Sequence, residues 1–191
     1  MVKADKARLR KELLARRRAL AAPDHRTRSE AICGHVLERI RRQKPAVVCL
    51  FAAVNGEPDL LSLVGRSPAP LALPRITGKN TMEFREFKAV ADLEPGPLGI
   101  PQPPADQRHR LVRPGPPLMV LVPAVAIDRQ GGRLGYGGGF YDLFLREAAE
   151  SPMDSPGVVF DEFFVDAVPT EPHDIHLPGV LTETGYHRIG D

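Results

Sequence analysis

The sequence predicts an α/β fold: a single layered domain, residues 1–191, in which helices flank a mainly parallel central sheet. Apolar runs of strand length alternate with helical patterns along the chain, an order typical of α/β proteins. Residues 46–51 and 118–123 are almost continuously apolar, as expected of strands that are covered on both faces. A chain of 191 residues is long enough to bury a substantial core.

Two helices are predicted in the N-terminal part. Leucines approximate an apolar stripe over residues 3–21, and the other positions there are mostly charged. Pro23 ends this helix, and Asp24 is expected to cap a second one that runs to about residue 42.

The later elements are shorter. A strand at 46–51 ends in a turn at 55–59, and a proline-rich connection at 94–117 is expected to wrap a ligand site, because compact domains seldom carry long irregular segments. Ligands bind at the carboxyl ends of parallel strands, so the turn at 55–59 and the loop after residue 123 are expected to meet at one sheet edge. The remaining predicted elements are a short helix at 60–64, strands at 71–76, 82–87, 118–123, 158–160, 164–168 and 180–182, and a helix at 140–150.

The charge distribution limits the classes of partner. The net charge of +2 does not indicate nucleic acid by itself. Eight basic residues crowd the first helix, which suits an anionic small ligand or RNA and also fits a solvated helix face. They are Lys3, Lys6, Arg8, Arg10, Lys11, Arg16, Arg17 and Arg18. Aromatic residues make up only 6% of the chain and Trp is absent, which argues against RNA binding by base stacking.

Hydropathy, the charge of the N-terminus and the cysteines predict the cellular setting. No apolar run approaches the length needed to cross a bilayer, and the charged N-terminus differs from a secretory signal. Cys33 and Cys49 lie in apolar patterns without metal-type spacing, so both are expected to be core thiols in a reducing compartment. We therefore expect a cytoplasmic monomer with no nucleic-acid or membrane partner.

The segment from 131 to 142 carries the strongest functional signal. Six of its first nine residues are glycine, and consecutive free N–H groups of such a loop can cradle an anion such as phosphate. Arg133 supplies a fork for phosphate oxygens, and Asp142 supplies a carboxylate suited to Mg²⁺. Neither the Walker A pattern nor G-x-G-x-x-G is present, and a plain flexible turn between a strand and a helix is the alternative interpretation.

Residues 122–128 followed by 132–142 resemble the signature of the 5-formyltetrahydrofolate cyclo-ligase family, also called methenyltetrahydrofolate synthetases. The resemblance covers nearly the whole chain. Other segments that match the family stand in the same order along the chain, at 6–10, 56–59, 73–75, 98–103 and 169–183.

The resemblance implies a function. Members of this family use ATP and Mg²⁺ to convert 5-formyltetrahydrofolate to 5,10-methenyltetrahydrofolate, with release of ADP and phosphate. The γ-phosphoryl group activates the formyl oxygen, and N10 of the folate then attacks the activated carbon. Mg²⁺ is the implied cofactor, and ATP and a reduced folate are the implied small-molecule substrates. The alternative is a non-catalytic relative that binds folate or nucleotide and has a regulatory role. It is motivated by Gln102, where the family usually carries an acid, and by the altered segment 176–179.

The resemblance also assigns site residues. Lys6 and Arg10, which share one helix face, would bind ATP phosphates. Arg133 and Tyr141 would be catalytic, and Asp142 and Asp174 would ligate the metal. The ATP-binding set is completed by Arg133, Leu134, Gly135, Tyr136, Gly137, Gly138, Gly139, Phe140 and Tyr141. The folate-binding set is Glu57, Tyr136, Gly137, Gly138, Gly139 and Phe140. Arg75 is expected to contact phosphate or the glutamyl tail, or else to be an ordinary surface arginine.

Overall fold

The computed structural model describes residues 2–113 and 115–190, and for Leu98 the backbone without the side chain. Its helices are α1 Val2–Arg18, α2 Ala22–Gln43 and α3 Phe140–Glu147. In chain order its strands are β1 Val47–Cys49, β2 Leu71–Ile76, β3 Met82–Phe87, β4 Glu94–Pro95, β5 Pro101–Gln102, β6 Leu118–Val120, β7 Val122–Pro123, β8 Ala126–Asp128, β9 Arg133–Leu134, β10 Met153–Asp154, β11 Gly157–Val158, β12 Phe164–Val165, β13 Gly179–Thr182 and β14 Gly185–Arg188.

The central sheet has five strands in the order β10–β6–β1–β2–β3. The first four run parallel, and β3 pairs antiparallel with β2 at one edge. Parallel strands are buried on both faces, and β1 and β6 are accordingly buried at all three positions each. The predicted α/β class with a mainly parallel central sheet is confirmed.

The neighbouring strands β6 and β10 of the central sheet are followed directly by β7 and β11, which pair with each other in a second sheet. The predicted strand at 118–123 divides at Leu121, whose N–H donates to the Cys49 carbonyl at 2.9 Å. The next N–H, of Val122, donates to the Pro156 carbonyl at 3.0 Å. The second sheet has the order β14–β13–β11–β7 and is parallel except for β14. A third, small sheet has the order β12–β8–β9.

Both long helices differ slightly from expectation at their ends. Helix α1 ends at Arg18 and not at residue 21. Within its span only Leu13 and Arg17 are buried. Helix α2 begins after Ala21, which makes no side-chain cap bond, so the expected capping role of Asp24 is wrong. Asp24 lies in the first helical turn, where a carboxylate is favourable for the helix dipole. The short helix predicted at 60–64 is a single 3₁₀ turn, Leu61–Leu63.

The proline-rich connection covers the edge of the central sheet. Its main chain runs beside β3, where Arg110 accepts from Glu86 and Phe84 accepts from Val112, at 2.8 and 2.9 Å. Such a cover blocks the unpaired groups of an edge strand. Gln102 is buried, and its Oε1 accepts from the Ile76 N–H at 3.3 Å. Of this connection, Pro114 lies outside the described residues.

The first half of the glycine-rich segment forms a hairpin, which the sequence did not predict. Strands β8 and β9 pair antiparallel around a turn at 129–132. The buried Asp128 carboxylate accepts N–H groups of Gln130 and Gly132 at 2.9 and 2.8 Å. Gly131 has φ +81°, and a Cβ there would lie 2.3 Å from the Leu177 carbonyl oxygen. Gly131 and Gly132 therefore serve this turn, and only residues 135–139 form an open loop.

The buried apolar side chains form one cluster shared by the helices and sheets. Within the described residues, no helix combines the length and the apolar character needed to cross a membrane.

Candidate active site

Four segments contribute the predicted site residues. They are the N-terminal half of α1, the turn after β1, the segment from β9 through the first turn of α3, and the loop that precedes β13. We call residues 54–57 the Glu57 turn and residues 135–139 the glycine loop. The turn and the loop both follow strands, and they approach each other through Tyr136, whose hydroxyl lies 3.4 Å from the Val54 carbonyl oxygen.

The glycine loop presents main-chain N–H groups that the protein does not use. None of the N–H groups of residues 135–139 donates a hydrogen bond to the described part of the chain. Gly137 and Gly139 have φ +94° and +69°, a region that L-residues with side chains rarely adopt. Gly139 leads directly into α3. Free amides at the start of a helix form a concave site for an anion.

Arg133 and Asp142 flank this loop and face each other. Nη2 of Arg133 lies 2.8 Å from Oδ1 of Asp142, and only 8% of the arginine side chain is exposed. Nη1 of the same guanidinium donates to the Pro123 carbonyl at 3.4 Å. Nε of Arg133 is buried and has no hydrogen-bond partner among the described residues. One buried donor of this cation is therefore not used by the described part of the protein.

Helix α1 brings two cations to the glycine loop and its surroundings. Nε of Arg10 donates to the Gly135 carbonyl at 2.7 Å. Nζ of Lys6, one turn earlier, lies 2.6 Å from Oδ2 of Asp174 and 3.2 Å from Oε2 of Glu171. Partial burial alone would raise the pKa of Asp174, but hydrogen bonds from Lys6 and from the Glu171 N–H outweigh it and lower this pKa. Asp174 is therefore held as an anion.

The two predicted metal acids occupy different ion pairs. Asp142 pairs with Arg133 and Asp174 pairs with Lys6. Among the described residues, no group of three or more His, Cys, Asp or Glu side chains could hold a metal ion. The protein groups thus offer single carboxylates, which is how Mg²⁺ is bound when substrate phosphates and water complete its shell.

Glu57 is a buried acid with one free oxygen. Only 2% of the residue is exposed, and its Oε2 accepts the Val54 N–H at 3.0 Å. Its Oε1 lies 4.0 Å from Nη2 of Arg17 and accepts no hydrogen bond from the described residues. Burial raises the pKa of Glu57 to about 7, although the Val54 N–H, Arg17 and the neighbouring Tyr136 hydroxyl all favour the anion. This oxygen can accept a hydrogen bond from a ligand.

The site contains two tyrosines with different surroundings. The Tyr136 hydroxyl accepts a hydrogen bond from Nη2 of Arg17, while the residue remains 39% exposed. The Tyr141 hydroxyl is buried and unpartnered among the described residues, and its ring meets Phe84 edge-on at 6.3 Å. Burial raises the pKa of both phenols, so both are neutral at ordinary pH.

Unpartnered buried groups coincide with the predicted site. Within the described chain, three buried side-chain polar atoms lack a hydrogen-bond partner: Oε1 of Glu57, Nε of Arg133 and the hydroxyl of Tyr141. Buried polar atoms are almost always hydrogen-bonded in native proteins, so each exception needs an explanation. All three belong to residues that the family resemblance assigned to the ATP or folate site.

Arg17 was missed as a site residue. It was counted only as one of eight basic residues of the first helix, yet it is 2% exposed. A usable signal exists, because Lys6, Arg10, Leu13 and Arg17 recur at helical spacing and so share one face.

Arg75, by contrast, binds Glu94 and the Pro103 carbonyl at 2.6 and 2.9 Å, and these contacts hold the proline-rich connection on β2.

Comparison with known proteins identifies the family. A sequence model of the 5-formyltetrahydrofolate cyclo-ligase family matches residues 2–183. The 5-formyltetrahydrofolate cyclo-ligase of Mycolicibacterium smegmatis is 34% identical over 195 residues, which cover 93% of each chain. That of Escherichia coli K12 is 33% identical over 141 residues, 71% of this chain and 76% of that one.

Solved structures agree. The NMR structure of Aquifex aeolicus 5,10-methenyltetrahydrofolate synthetase superposes with a TM-score of 0.83 at 28% identity, over 97% of this chain and 93% of that one. The Mycoplasma pneumoniae 5,10-methenyltetrahydrofolate synthetase, at 18% identity and a TM-score of 0.70, shares the fold over 94% of this chain and 99% of its own. Sequence and fold thus agree over almost the full length, and the chain belongs to the 5-formyltetrahydrofolate cyclo-ligase family.

Proposed function

We propose that this protein catalyses the ATP- and Mg²⁺-dependent conversion of 5-formyltetrahydrofolate to 5,10-methenyltetrahydrofolate, with release of ADP and phosphate. Membership of the family supports the reaction. The observation that carries the assignment to this site is the coincidence of three unpartnered buried polar atoms with the predicted substrate residues. The unused N–H groups of the glycine loop, 135–139, support the same placement.

On the nucleotide side, the glycine loop would hold the phosphates of ATP. Arg10 binds the Gly135 carbonyl, Lys6 lies one turn earlier on the same helix, and Arg133 flanks the loop, so these cations and the free N–H groups would complement a polyphosphate. Arg133 would offset negative charge as the γ-phosphoryl group leaves ADP and bonds to the formyl oxygen. Such a transfer depends on positioning and charge neutralisation, so the protein need not supply a nucleophile.

On the folate side, Oε1 of Glu57 would accept N–H groups of the pterin. A carboxylate pairs well with the amino and ring N–H donors of that ring system. The exposed ring of Tyr136 would form part of the wall against which the folate packs. Once the formyl oxygen is phosphorylated, N10 attacks the carbon, the carbon–oxygen bond breaks and phosphate departs.

The residues present fit a magnesium ion that arrives with ATP. Asp142 would ligate it, and Asp174 would be the second acid of the site. When bound, Mg²⁺ neutralises charge on the phosphates. The hydroxyl of Tyr141, neutral and buried, would donate a hydrogen bond to an oxygen of the reacting groups.

We also propose that the chain is a single domain that acts as a monomer on small molecules, without nucleic-acid or membrane partners. The single shared core supports this, and so does a site built from segments of one chain. Sedimentation at the mass of one chain, unchanged by ATP and folate, is the expected result.

The test is the near-ultraviolet absorbance of methenyltetrahydrofolate formed from 5-formyltetrahydrofolate, with and without ATP and Mg²⁺. We expect product only when both are present, with one phosphate released per product. A folded protein that binds ATP and the folate without forming product would contradict the proposed activity and support the binding-only alternative.

A further inference from the structure

Arg17 joins three separate parts of the site. Its guanidinium donates through Nε to the Asn55 carbonyl at 3.0 Å and through Nη1 to the Ala124 carbonyl at 2.8 Å. Nη2 donates to the Tyr136 hydroxyl. The side chain is 1% exposed, so these contacts are made away from water, where hydrogen bonds to a charged group are strong. One residue of α1 thus connects the Glu57 turn, the end of β7 and the glycine loop.

The Glu57 turn is shaped to accept this contact. Asn55 and Gly56 both have positive φ, +50° and +76°. A Cβ on Gly56 would lie 3.2 Å from the Arg17 main-chain oxygen and 3.3 Å from its Cγ. The turn therefore packs directly on α1 at Arg17, and the turn and helix are held together by both main chain and side chain.

Charged and titratable groups face Glu57 from α1, α2, α3 and the glycine loop. Arg17 faces it from α1 at 4.0 Å. The phenols of Tyr136 and Tyr141 face it from the glycine loop and α3, and the ring of His25, from α2, binds the Glu57 main-chain carbonyl at 2.8 Å. The guanidinium of Arg17 is the permanent cation of this set, and it opposes the burial that favours the protonated acid.

We propose that Arg17 is a positioning residue for folate: it holds the Glu57 turn and Tyr136 at a fixed separation and places its positive charge 4.0 Å from the unpartnered Glu57 oxygen. The proposal rests on the proposed function, because it takes the Glu57 turn as the pterin site. It goes beyond that function because it assigns a role in folate binding to a residue that does not touch the reacting atoms.

The first test needs no ligand. The carboxyl carbon of Glu57 is followed by ¹³C NMR across pH 5–9 in glutamate-labelled protein and is assigned with Glu57→Gln. Arg17→Met is expected to raise the pKa of Glu57 by about 1 pH unit or more, as for loss of a cation at this distance. Arg17→Lys keeps the charge and should shift it less. Arg8→Met is the matched control, since Arg8 lies on the same helix with its side chain 82% exposed.

The second test measures binding by calorimetry. For Arg17→Met we expect roughly ten- to hundredfold weaker binding of 5-formyltetrahydrofolate, as for loss of hydrogen bonds to a buried charge. The acid limb of its pH profile should move to higher pH together with the NMR titration. The ATP dissociation constant should rise less than that of the folate, because the contact of Arg17 with the residues assigned to ATP is its bond to Tyr136 of the glycine loop.

Two outcomes would overturn the proposal. One is a Glu57 titration and a folate pH profile that Arg17→Met leaves unchanged. The other is equal weakening of ATP and folate binding in a protein with normal circular dichroism, which is the signature of general support for α1. If Arg17→Met does not fold, the folate affinity of Arg17→Lys is the deciding measurement. Full folate affinity in that variant would contradict a role for the guanidinium fork. A parent protein that binds no 5-formyltetrahydrofolate would contradict the proposed function, while the NMR titration still tests Arg17.

Discussion

At the scale of single residues, the site keeps its cations paired with its acids. Lys6 lies against Asp174, Arg133 against Asp142, and Arg17 near Glu57. An incoming polyphosphate would compete with the carboxylates for Lys6 and Arg133. A magnesium ion bound to that polyphosphate would in turn offer the released carboxylates a new partner. Under the proposed function, the arrangement would therefore favour ATP that arrives together with its metal.

Asp142→Asn tests the metal assignment. The variant keeps the size of the side chain and loses its charge, so we expect a folded protein with at least about a hundredfold less turnover, in line with the loss of a metal contact. Turnover is measured against Mg²⁺ concentration. Asp166→Asn is the control, because that side chain is 96% exposed. Parent-like turnover and magnesium dependence in Asp142→Asn would remove Asp142 from the site.

Glu57→Gln tests pterin recognition. The amide keeps one acceptor but loses the charge, so the KM for 5-formyltetrahydrofolate should rise about tenfold or more, as for a charge-assisted hydrogen bond. The KM for ATP should change little. Equal increases in both constants would contradict a role in pterin binding.

Glu57→Gln should also change the stability of the protein, by an amount that depends on pH. Below about pH 4 Glu57 is protonated in both the folded and unfolded chain, so its ionisation does not affect folding. Between that pH and about 7 only the unfolded chain ionises, and stability falls as pH rises. Glu57→Gln removes this cost of up to about 3 kcal/mol. Its Tm relative to the parent should therefore be higher at pH 8 than at pH 5, and a pH-independent difference would contradict the raised pKa.

At the scale of elements, the glycine loop is defined by its backbone. Its amides are free because positive φ at Gly137 and Gly139 turns the chain away from strand pairing just before α3 begins. The first half of the glycine-rich segment is different, because there the amides bind Asp128 within the β8–β9 hairpin. Only the second half is available for an anion.

Gly137→Ala tests whether the glycine loop binds phosphate, apart from any effect of the substitution on stability. Gly65 provides a matched control: both glycines are exposed, both have positive φ, and neither has close neighbours. Alanine should cost each site about 1 kcal/mol of stability through backbone strain. Only Gly137→Ala should raise the KM for ATP, by about tenfold, since a displaced amide loses its bond to phosphate. Equal kinetics in the two variants would contradict the phosphate cradle.

At the scale of the whole molecule, helix α2 is attached to two sheets by a largely buried ion pair whose residues are not part of the proposed site. Arg39 of α2 binds both oxygens of Asp154 on β10, at 2.6 and 2.7 Å. The guanidinium carbon lies 3.7 Å from the centre of the Tyr186 ring on β14. This contact joins the central sheet, the second sheet and α2, so it supports the shared core.

Arg39→Met should therefore reduce stability without changing the site. Removal of one partner from a largely buried pair leaves an uncompensated carboxylate, and we expect a loss of about 2–4 kcal/mol in the free energy of unfolding. Urea denaturation measures it, and both KM values should equal those of the parent. Arg41→Met, on the exposed side of the same helix, is the control. Loss of less than about 0.5 kcal/mol would show that the pair is not structurally important.

Much of the fold followed from short-range patterns in the sequence. Apolar runs and helical spacing predicted β2 and β3 to the residue and the ends of α1 and α2 to within about three residues, because burial on one face leaves a local periodic record. The predicted strand at 118–123 is real but shared by two sheets, and the hairpin of β8 and β9 was not predicted. Very short strands such as these depend on their partners and leave little periodic signal.

The sequence by itself determined the α/β class and the family, and through the family resemblance it supplied the side chains that we propose to bind phosphate, pterin and metal. Tertiary structure alone decided how they are combined. Arg16, Arg17 and Arg18 are consecutive arginines, yet only Arg17 is buried, because the rotation of α1 against the Glu57 turn selects it. Lys6 meets Asp174 across 168 residues of sequence. Such contacts depend on how distant elements pack, and no local pattern records that packing.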